Sequence, residues 1–459
     1  MKWYAKRYWF FILLFFCVIS LVLPLFLRDW VLIGGESYYN LRLANDFSNY
    51  DELSFGGRYF YGESGYIKFL SFNPWFFSIS LPILFGIGSF ILFYLIVEKL
   101  MGELRNIASA LLLISPGFLL LFSSSSKYCA AIFFFLLGMY FLLRRMFISA
   151  WLIVLIVGLF SIFLSILFFI VMLFIGYRRF LFSFIIGLGL LLEILLQFRY
   201  AFYENIWNFG FFNSFSLSGF FSSSISEFGG IIGLFFILLS LIGIYVVYKD
   251  GFVYFLVYSG MGLLFTLSFY FDFLYFLLNI FIVYLSAVGL MKLVGYKWGD
   301  FVLKRVVVLI FIFGMLFSFI VTIERLDDAK PSRGFLEAMD FLYEWDRGQV
   351  VFSHFDRGHY LSYAGMKNVM DSHFYFGGNV EGRLVDSMFL FRSVYIADAE
   401  VVLNKYNVRY IWIDGSLIDG LWGRDDIQLL WLLEYSDRFS LIFENEEVKI
   451  YQYLRKNGD

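Results

Sequence analysis

The chain has 459 residues, 61% hydrophobic and only 16% charged, with a net charge of -2 and a mean hydropathy of +0.78. Soluble domains carry roughly 45–50% apolar residues, so the composition excludes an ordinary soluble fold. The absence of a basic tract excludes nucleic acid as a partner.

The first seven residues are basic, with Lys2, Lys6 and Arg7, and precede an apolar run over residues 8–27. A signal peptide starts in the same way. This run is long enough to span a bilayer and no small-residue cleavage site follows it, so a first transmembrane helix is expected. Further spanning runs are expected at 75–97, 107–122, 128–143, 181–197, 231–248, 252–271, 273–293 and 306–323. The stretch 147–175 is too long for one untilted helix and lies between Arg144-Arg145 and Arg178-Arg179, which predicts a hairpin of two short helices. About eleven spans result. Cys17 and Cys129 both fall in apolar runs and read as packing residues rather than a disulfide.

The basic residues then fall on one side: Lys2, Lys6, Arg7, Lys99, Arg105, Arg144, Arg145, Arg178, Arg179, Lys249, Lys297, Lys304 and Arg305. The positive-inside rule places them in the cytoplasm of a multi-pass plasma-membrane protein. The loops 28–73 and 199–229 and everything after Glu324 are then external. Past Glu324 charges become frequent, and Pro331 and Gly334 mark a junction. Helical spacing over 334–345, 399–407 and 427–435 and short strands at 349–352, 408–414 and 448–454 predict an external α/β domain. The expected architecture is a membrane all-α multi-span bundle over 1–323 followed by a small α/β domain over 324–459.

Three segments carry candidate chemistry. The first external loop begins Gly34-Gly35-Glu36-Ser37-Tyr38-Tyr39-Asn40-Leu41-Arg42. A carboxylate such as Glu36 at a membrane rim can hold a divalent metal or position an acceptor; a solvated loop acid beside an aromatic belt has the same pattern. The second long loop ends Ser224-Ile225-Ser226-Glu227. Glu36 and Glu227 are expected on one face at similar depth, where two carboxylates can share a metal ion. The external domain contains Ser353-His354-Phe355-Asp356-Arg357-Gly358-His359, and all three histidines, His354, His359 and His373, fall in this region. Three histidines this close admit a zinc site, but their spacing fits no standard zinc pattern and no cysteine lies nearby, so the segment reads as a surface loop with incidental histidines.

In this order the segments resemble the catalytic subunit of oligosaccharyltransferase, especially its archaeal form, a membrane glycosyltransferase of the GT-C class. Residues 34–42 resemble the family's Gly-x-Asp-x-Tyr-Tyr-His-x-Arg-like loop start, with Glu36 in place of Asp. Residues 224–227 resemble its Thr-Ile-x-Glu-like motif. Residues 354–359 stand where the family has Trp-Trp-Asp-Tyr-Gly, with Asp356 and Gly358 matching. Residues 114–118 resemble the end of its third span, and 404–410 a late strand segment. Nearly the whole chain is covered.

The resemblance implies glycosyl transfer from a polyprenyl- or dolichyl-phosphate-linked sugar to a polypeptide asparagine at the bilayer. Glu36 and Glu227 would be catalytic and bind Mn²⁺ or Mg²⁺, and Arg42, Asp356, Gly358 and His359 would contact substrate. Three departures stand out. The family's Asp-x-Asp pair is replaced by Ser123-Ser124-Ser125-Ser126-Lys127, the stretch 268–275 has no arginine, and the Trp-Trp pair is absent. Two alternatives therefore stay open: a GT-C transferase using a lipid monophosphate-sugar and another acceptor, and a non-catalytic paralogue that binds lipid-linked glycan.

Overall fold

The computed structural model describes residues 2–46, 48, 50–55, 57–59, 64–175, 180–197, 231–247, 262, 264–268, 273–373, 379–418 and 428–455. The chain divides into two compact units. The first holds the described residues of Met1–Ile33, Glu63–Leu196 and Phe212–Lys330; the second holds those of Gly34–Gly62, Gln197–Phe211 and Pro331–Asp459.

The first unit is helical. Four of its helices, starting at Tyr8, Pro74, Leu274 and Phe301, are long and apolar enough to cross a membrane. A fifth span results if the bent pair Arg105–Leu113 and Pro116–Ser123 counts as one. Further apolar helices among the described residues are 10–17 residues long, so the described residues give four or five full-length spans where eleven were expected. The expected span 252–271 lies largely outside the described residues. The protein is a multi-pass membrane protein.

The outer face of Phe301–Asp328 exposes Phe313, Phe317 and Ile320 by more than half, which suits lipid rather than water. The stretch 147–175 divides into two helices, Phe147–Gly158 and Ile162–Ile175, that break at Leu159–Ser161. The 107–122 run is bent by 56° between its two halves. Pro116 opens the second half, lacks an amide donor, and forces Ser115 into an extended conformation (ψ 132°). Leu234–Val247 and Leu274–Gly295 approach backbone to backbone, because Gly243 faces the Leu285 carbonyl and Gly289 the Leu239 carbonyl. Small residues allow such close approach in lipid, where apolar area alone gives helices no reason to associate.

The second unit is α/β. Its five-stranded sheet has the order β4-β3-β5-β7-β6, with β3 Val350–Phe352, β4 Lys367–Asn368, β5 Val408–Asp414, β6 Phe439–Glu444 and β7 Val448–Tyr453. Strand β3 runs parallel to β4 and β5, while β7 is antiparallel to β5 and β6. The central β5 is covered on both sides, as its nearly continuous apolar sequence requires. Ile411 and Ile413 pack with Ala399, Val402 and Leu403 of helix Ile396–Lys405 and with Leu429, Leu432 and Leu433 of helix Leu429–Tyr435. Trp412, pointing the other way, meets Phe335 of helix Arg333–Trp345 at 5.0 Å between rings. Ser332 caps that helix by accepting the Phe335 amide.

The segment 34–59 is laced into this unit. It forms helix Gly35–Asn45 and a two-stranded hairpin, β1 Tyr50–Asp51 and β2 Arg58–Tyr59. Beside β4, the Asn368 amide donates to the Leu53 carbonyl (2.8 Å), and the Asn368 side chain accepts from the Phe55 amide (2.9 Å).

Candidate functional site

In the second unit, two arginine–carboxylate pairs and three rings in tilted and edge-on contact form one cluster. Arg42, in the last turn of helix Gly35–Asn45, donates both terminal nitrogens to Asp51, at 2.7 and 2.6 Å. Arg58 grips Asp371 in the same way: Nη2 to Oδ2 at 2.9 Å and Nη1 to Oδ1 at 3.3 Å, with Nη1 also reaching the His373 carbonyl at 3.2 Å. Between these pairs lie Tyr39, His359 and His373. Their ring centroids are 4.7 Å apart for Tyr39–His359, 4.7 Å for Tyr39–His373 and 4.5 Å for His359–His373.

Burial sets the protonation states. It pushes the Tyr39 phenol up to about 12 and the His359 imidazole down to about 4, despite the Asp371 carboxylate opposing the shift. Burial by itself would raise the Asp371 carboxyl. Burial is the largest single influence, but the Arg58 charge, the two histidines and the His373 amide hydrogen bond together outweigh it and hold the group at about 2. At neutral pH the cluster therefore contains ionised Asp51 and Asp371, neutral His359 and neutral Tyr39.

His359 is held by close packing. It lies in helix Gly358–Tyr363 and is 2% exposed. The surface-loop expectation is corrected for its second half: residues 358–362 form a buried helix, while 354–357 make a partly exposed turn. The reason is Gly358, where a Cβ would sit 2.6 Å from the Asp371 Cβ and 2.7 Å from its Cα. Only glycine lets this helix start directly on the 370–371 backbone. Gly35 makes the matching approach from the other side, its Cβ position being 3.3 Å from the His359 Cβ.

The sequence candidates fall into three groups. Arg42, Gly358 and His359 are brought into the cluster, and Glu36 adjoins it in the first turn of helix Gly35–Asn45, half-buried. Asp356 stands apart. It lies exposed on the turn Phe355–Arg357, 3.2 Å from His354 Nδ1. Glu227 lies outside the described residues. Sequence reasoning missed Tyr39, Asp51, Arg58 and Asp371 as parts of the cluster. The short Asp371-x-His373 spacing was the one local signal for any of them.

Among the described residues, His359, Asp371 and His373 bring ligand atoms within 4.8 Å of one another, close enough to hold a divalent metal ion.

The first unit has its own polar feature around residues 123–127. Arg28, 1% exposed, donates to the Ser123 carbonyl at 2.8 Å. Residues 124–126 form the turn into helix Lys127–Leu143, which Ser126 caps. Ser125 lies 3.0 Å from the Tyr66 hydroxyl.

Comparison with solved structures matches this architecture. The apo oligosaccharyltransferase of Archaeoglobus fulgidus superimposes with a TM-score of 0.62 at 14% identity, covering 91% of this chain and 71% of that one. The chain has the fold of an archaeal oligosaccharyltransferase. The A. fulgidus oligosaccharyltransferase AglB, in complex with an inhibitory peptide and a dolichol-phosphate, matches with a TM-score of 0.58 at 13% identity, over 90% of this chain and 70% of that one. ArnT from Cupriavidus metallidurans, bound to undecaprenyl phosphate, matches at 0.51 and 11% identity, over 98% of both chains. No family model matches the chain, and no curated protein matches it in sequence. Set beside oligosaccharyltransferase, the expected GT-C-like architecture stands.

Proposed function

We propose that this protein is a membrane glycosyltransferase that moves a sugar or oligosaccharide from a polyprenyl-phosphate or polyprenyl-diphosphate carrier to a polypeptide asparagine. The fold supports this reading, since the structures it matches include one with dolichol-phosphate and a peptide and one with undecaprenyl phosphate. The observation that carries it is Glu36. Its helix is fixed at one end by the Arg42–Asp51 pair and at the other by Gly35 against His359. A carboxylate on so rigid a support suits the positioning of a nucleophile.

In the reaction, the bond from the anomeric carbon to the carrier phosphate oxygen breaks as the acceptor nitrogen bonds to that carbon. Glu36 accepts a hydrogen bond from the acceptor amide, orients its lone pair and takes up the amide proton released as the nitrogen–carbon bond forms. Negative charge collects on the leaving phosphate, where fixed positive charge lowers the barrier. Arg42 does not contact phosphate in this scheme, because its fork is filled by Asp51; it holds the helix that carries Glu36. Exposed Asp356 docks the acceptor chain. A divalent ion such as Mn²⁺ or Mg²⁺, held by Glu36 with Glu227, would add charge at the leaving oxygen.

A second reading draws on the other matched structure, the one bound to undecaprenyl phosphate. The Trp-Trp pair is also missing. These favour a lipid monophosphate-sugar donor and an acceptor other than asparagine.

The test is a transfer assay with purified protein, native lipid-linked glycans and an Asn-x-Thr peptide, with and without Mn²⁺. Glycopeptide lost in Glu36→Gln supports the first reading. Sugar released from the carrier onto a lipid acceptor instead supports the second.

A further inference from the structure

We infer that His359, Asp371 and His373 form a transition-metal site of the zinc type, separate from any ion held by Glu36 and Glu227.

The first support is the state of His359. Both of its ring nitrogens are buried without a hydrogen-bond partner. Leaving a buried polar group unpaired is costly, and such groups in native proteins mark an ion, a water or a functional strain. Here two such atoms belong to one ring, and one of them faces a carboxylate: His359 Nδ1 lies 3.9 Å from Asp371 Oδ2. That separation is too long for a hydrogen bond. It is close to the spacing of two ligands on one zinc ion, since bonds of about 2.0–2.2 Å at tetrahedral angles put ligand atoms about 3.4 Å apart.

The second support is the environment of Asp371. Each carboxylate oxygen can accept two bonds. Oδ1 takes the Arg58 Nη1 and the His373 amide, at 3.3 and 2.9 Å. Oδ2 takes only Arg58 Nη2 among these donors, at 2.9 Å, and its other side faces His359. Arg58 therefore orients the carboxylate from behind and, through the His373 carbonyl, the backbone of the second histidine. Ligand carboxylates in metal sites are oriented by such outer contacts. Tyr39 lies against both imidazoles and restricts their tilt.

The donor set decides the ion. Two imidazoles and one carboxylate suit zinc and its neighbours, whereas Mg²⁺ and Ca²⁺ prefer oxygen throughout. Three protein ligands leave the fourth position for water. The Arg58 charge beside the carboxylate opposes a second cation, so binding is weaker than in a closed four-ligand site.

The experiment uses the full chain in detergent, stripped with a chelator and then equilibrated with Zn²⁺, Co²⁺ or Mg²⁺. Bound metal per chain is measured by mass spectrometry, and Co²⁺ is followed by its visible absorption. One zinc per chain is expected, with cobalt bands of nitrogen–oxygen coordination and no retained magnesium. His373→Ala and His359→Gln each weaken zinc binding at least about tenfold, while Glu36→Gln leaves it unchanged. His373 is only half-buried, so its variant tests the site even if His359→Gln misfolds. Folded wild-type protein that takes up no zinc overturns the inference and leaves water as the partner of His359. Equal uptake by wild type and His373→Ala also overturns it. Neither readout depends on glycosyl transfer.

Discussion

Arg58 and Asp371, 313 residues apart in sequence, meet as a two-pronged ion pair with side chains 5% and 0% exposed. The pair ties the first-loop hairpin to the segment after β4, and the buried ring cluster is built on it.

Breaking such a pair by removing one partner leaves an uncompensated buried charge, at a cost of about 3–5 kcal/mol. Arg58→Met should lower the melting temperature of the detergent-solubilised protein and open the C-terminal unit to limited proteolysis. Adding Asp371→Leu to Arg58→Met should recover part of the loss, since the stranded carboxylate is then gone.

Gly358→Ala should destabilise through overpacking, by about 1–3 kcal/mol. The added methyl meets the Asp371 backbone, which cannot rotate away. Thermal unfolding measures this, and an unchanged melting temperature would show that helix Gly358–Tyr363 has room to shift.

Acid should weaken the second unit through Asp414. Burial opposes its ionisation, but hydrogen bonds from Arg357, Ser416 and Trp412 hold its carboxyl below the usual range. In this case the unfolded chain binds the proton first, so the stabilisation is complete above the ordinary Asp value of about 3.9 and fades as pH falls through the lower folded value. Melting temperature should therefore drop as pH falls below about 4, and Asp414→Asn, already weakened at neutral pH, should drop less steeply there.

In the membrane unit, Gly289→Val should be among the most damaging single changes. Its side chain would enter the backbone of helix Leu234–Val247 at Leu239 and Gly243. Reduced yield of folded, monodisperse protein in detergent is the readout. A substitution on the exposed face of Phe301–Asp328, such as Phe317→Leu, should have little effect.

What could be read from the sequence was what depends on local pattern. Phe335, Ala338, Met339 and Leu342 repeat at helical spacing behind Ser332, and helix Arg333–Trp345 was legible from them. The apolar β5 was legible for the same reason. Strand β6 was not, because it lies at the sheet edge and only Phe439 is fully buried, so no clean alternation marks it. The burial of His359 was hidden for a different reason. It depends on Gly358 against Met370 and Asp371, and on Gly35 from 324 positions upstream, contacts that leave no trace in the polar residues 353–363 themselves. The Arg58–Asp371 pair likewise joins two unremarked residues. At the site, Arg42 was visible as a cation, but its commitment to Asp51 was not.

The most direct measurement of the central claim is transfer from a lipid-linked glycan to an Asn-x-Thr peptide by purified wild-type protein and by Glu36→Gln, with binding of the lipid-linked glycan measured in parallel. The account predicts glycopeptide from the wild type and its loss in Glu36→Gln, with donor binding retained in both. Undiminished transfer by Glu36→Gln, or folded wild type that binds the donor and moves its sugar to no acceptor, would contradict it.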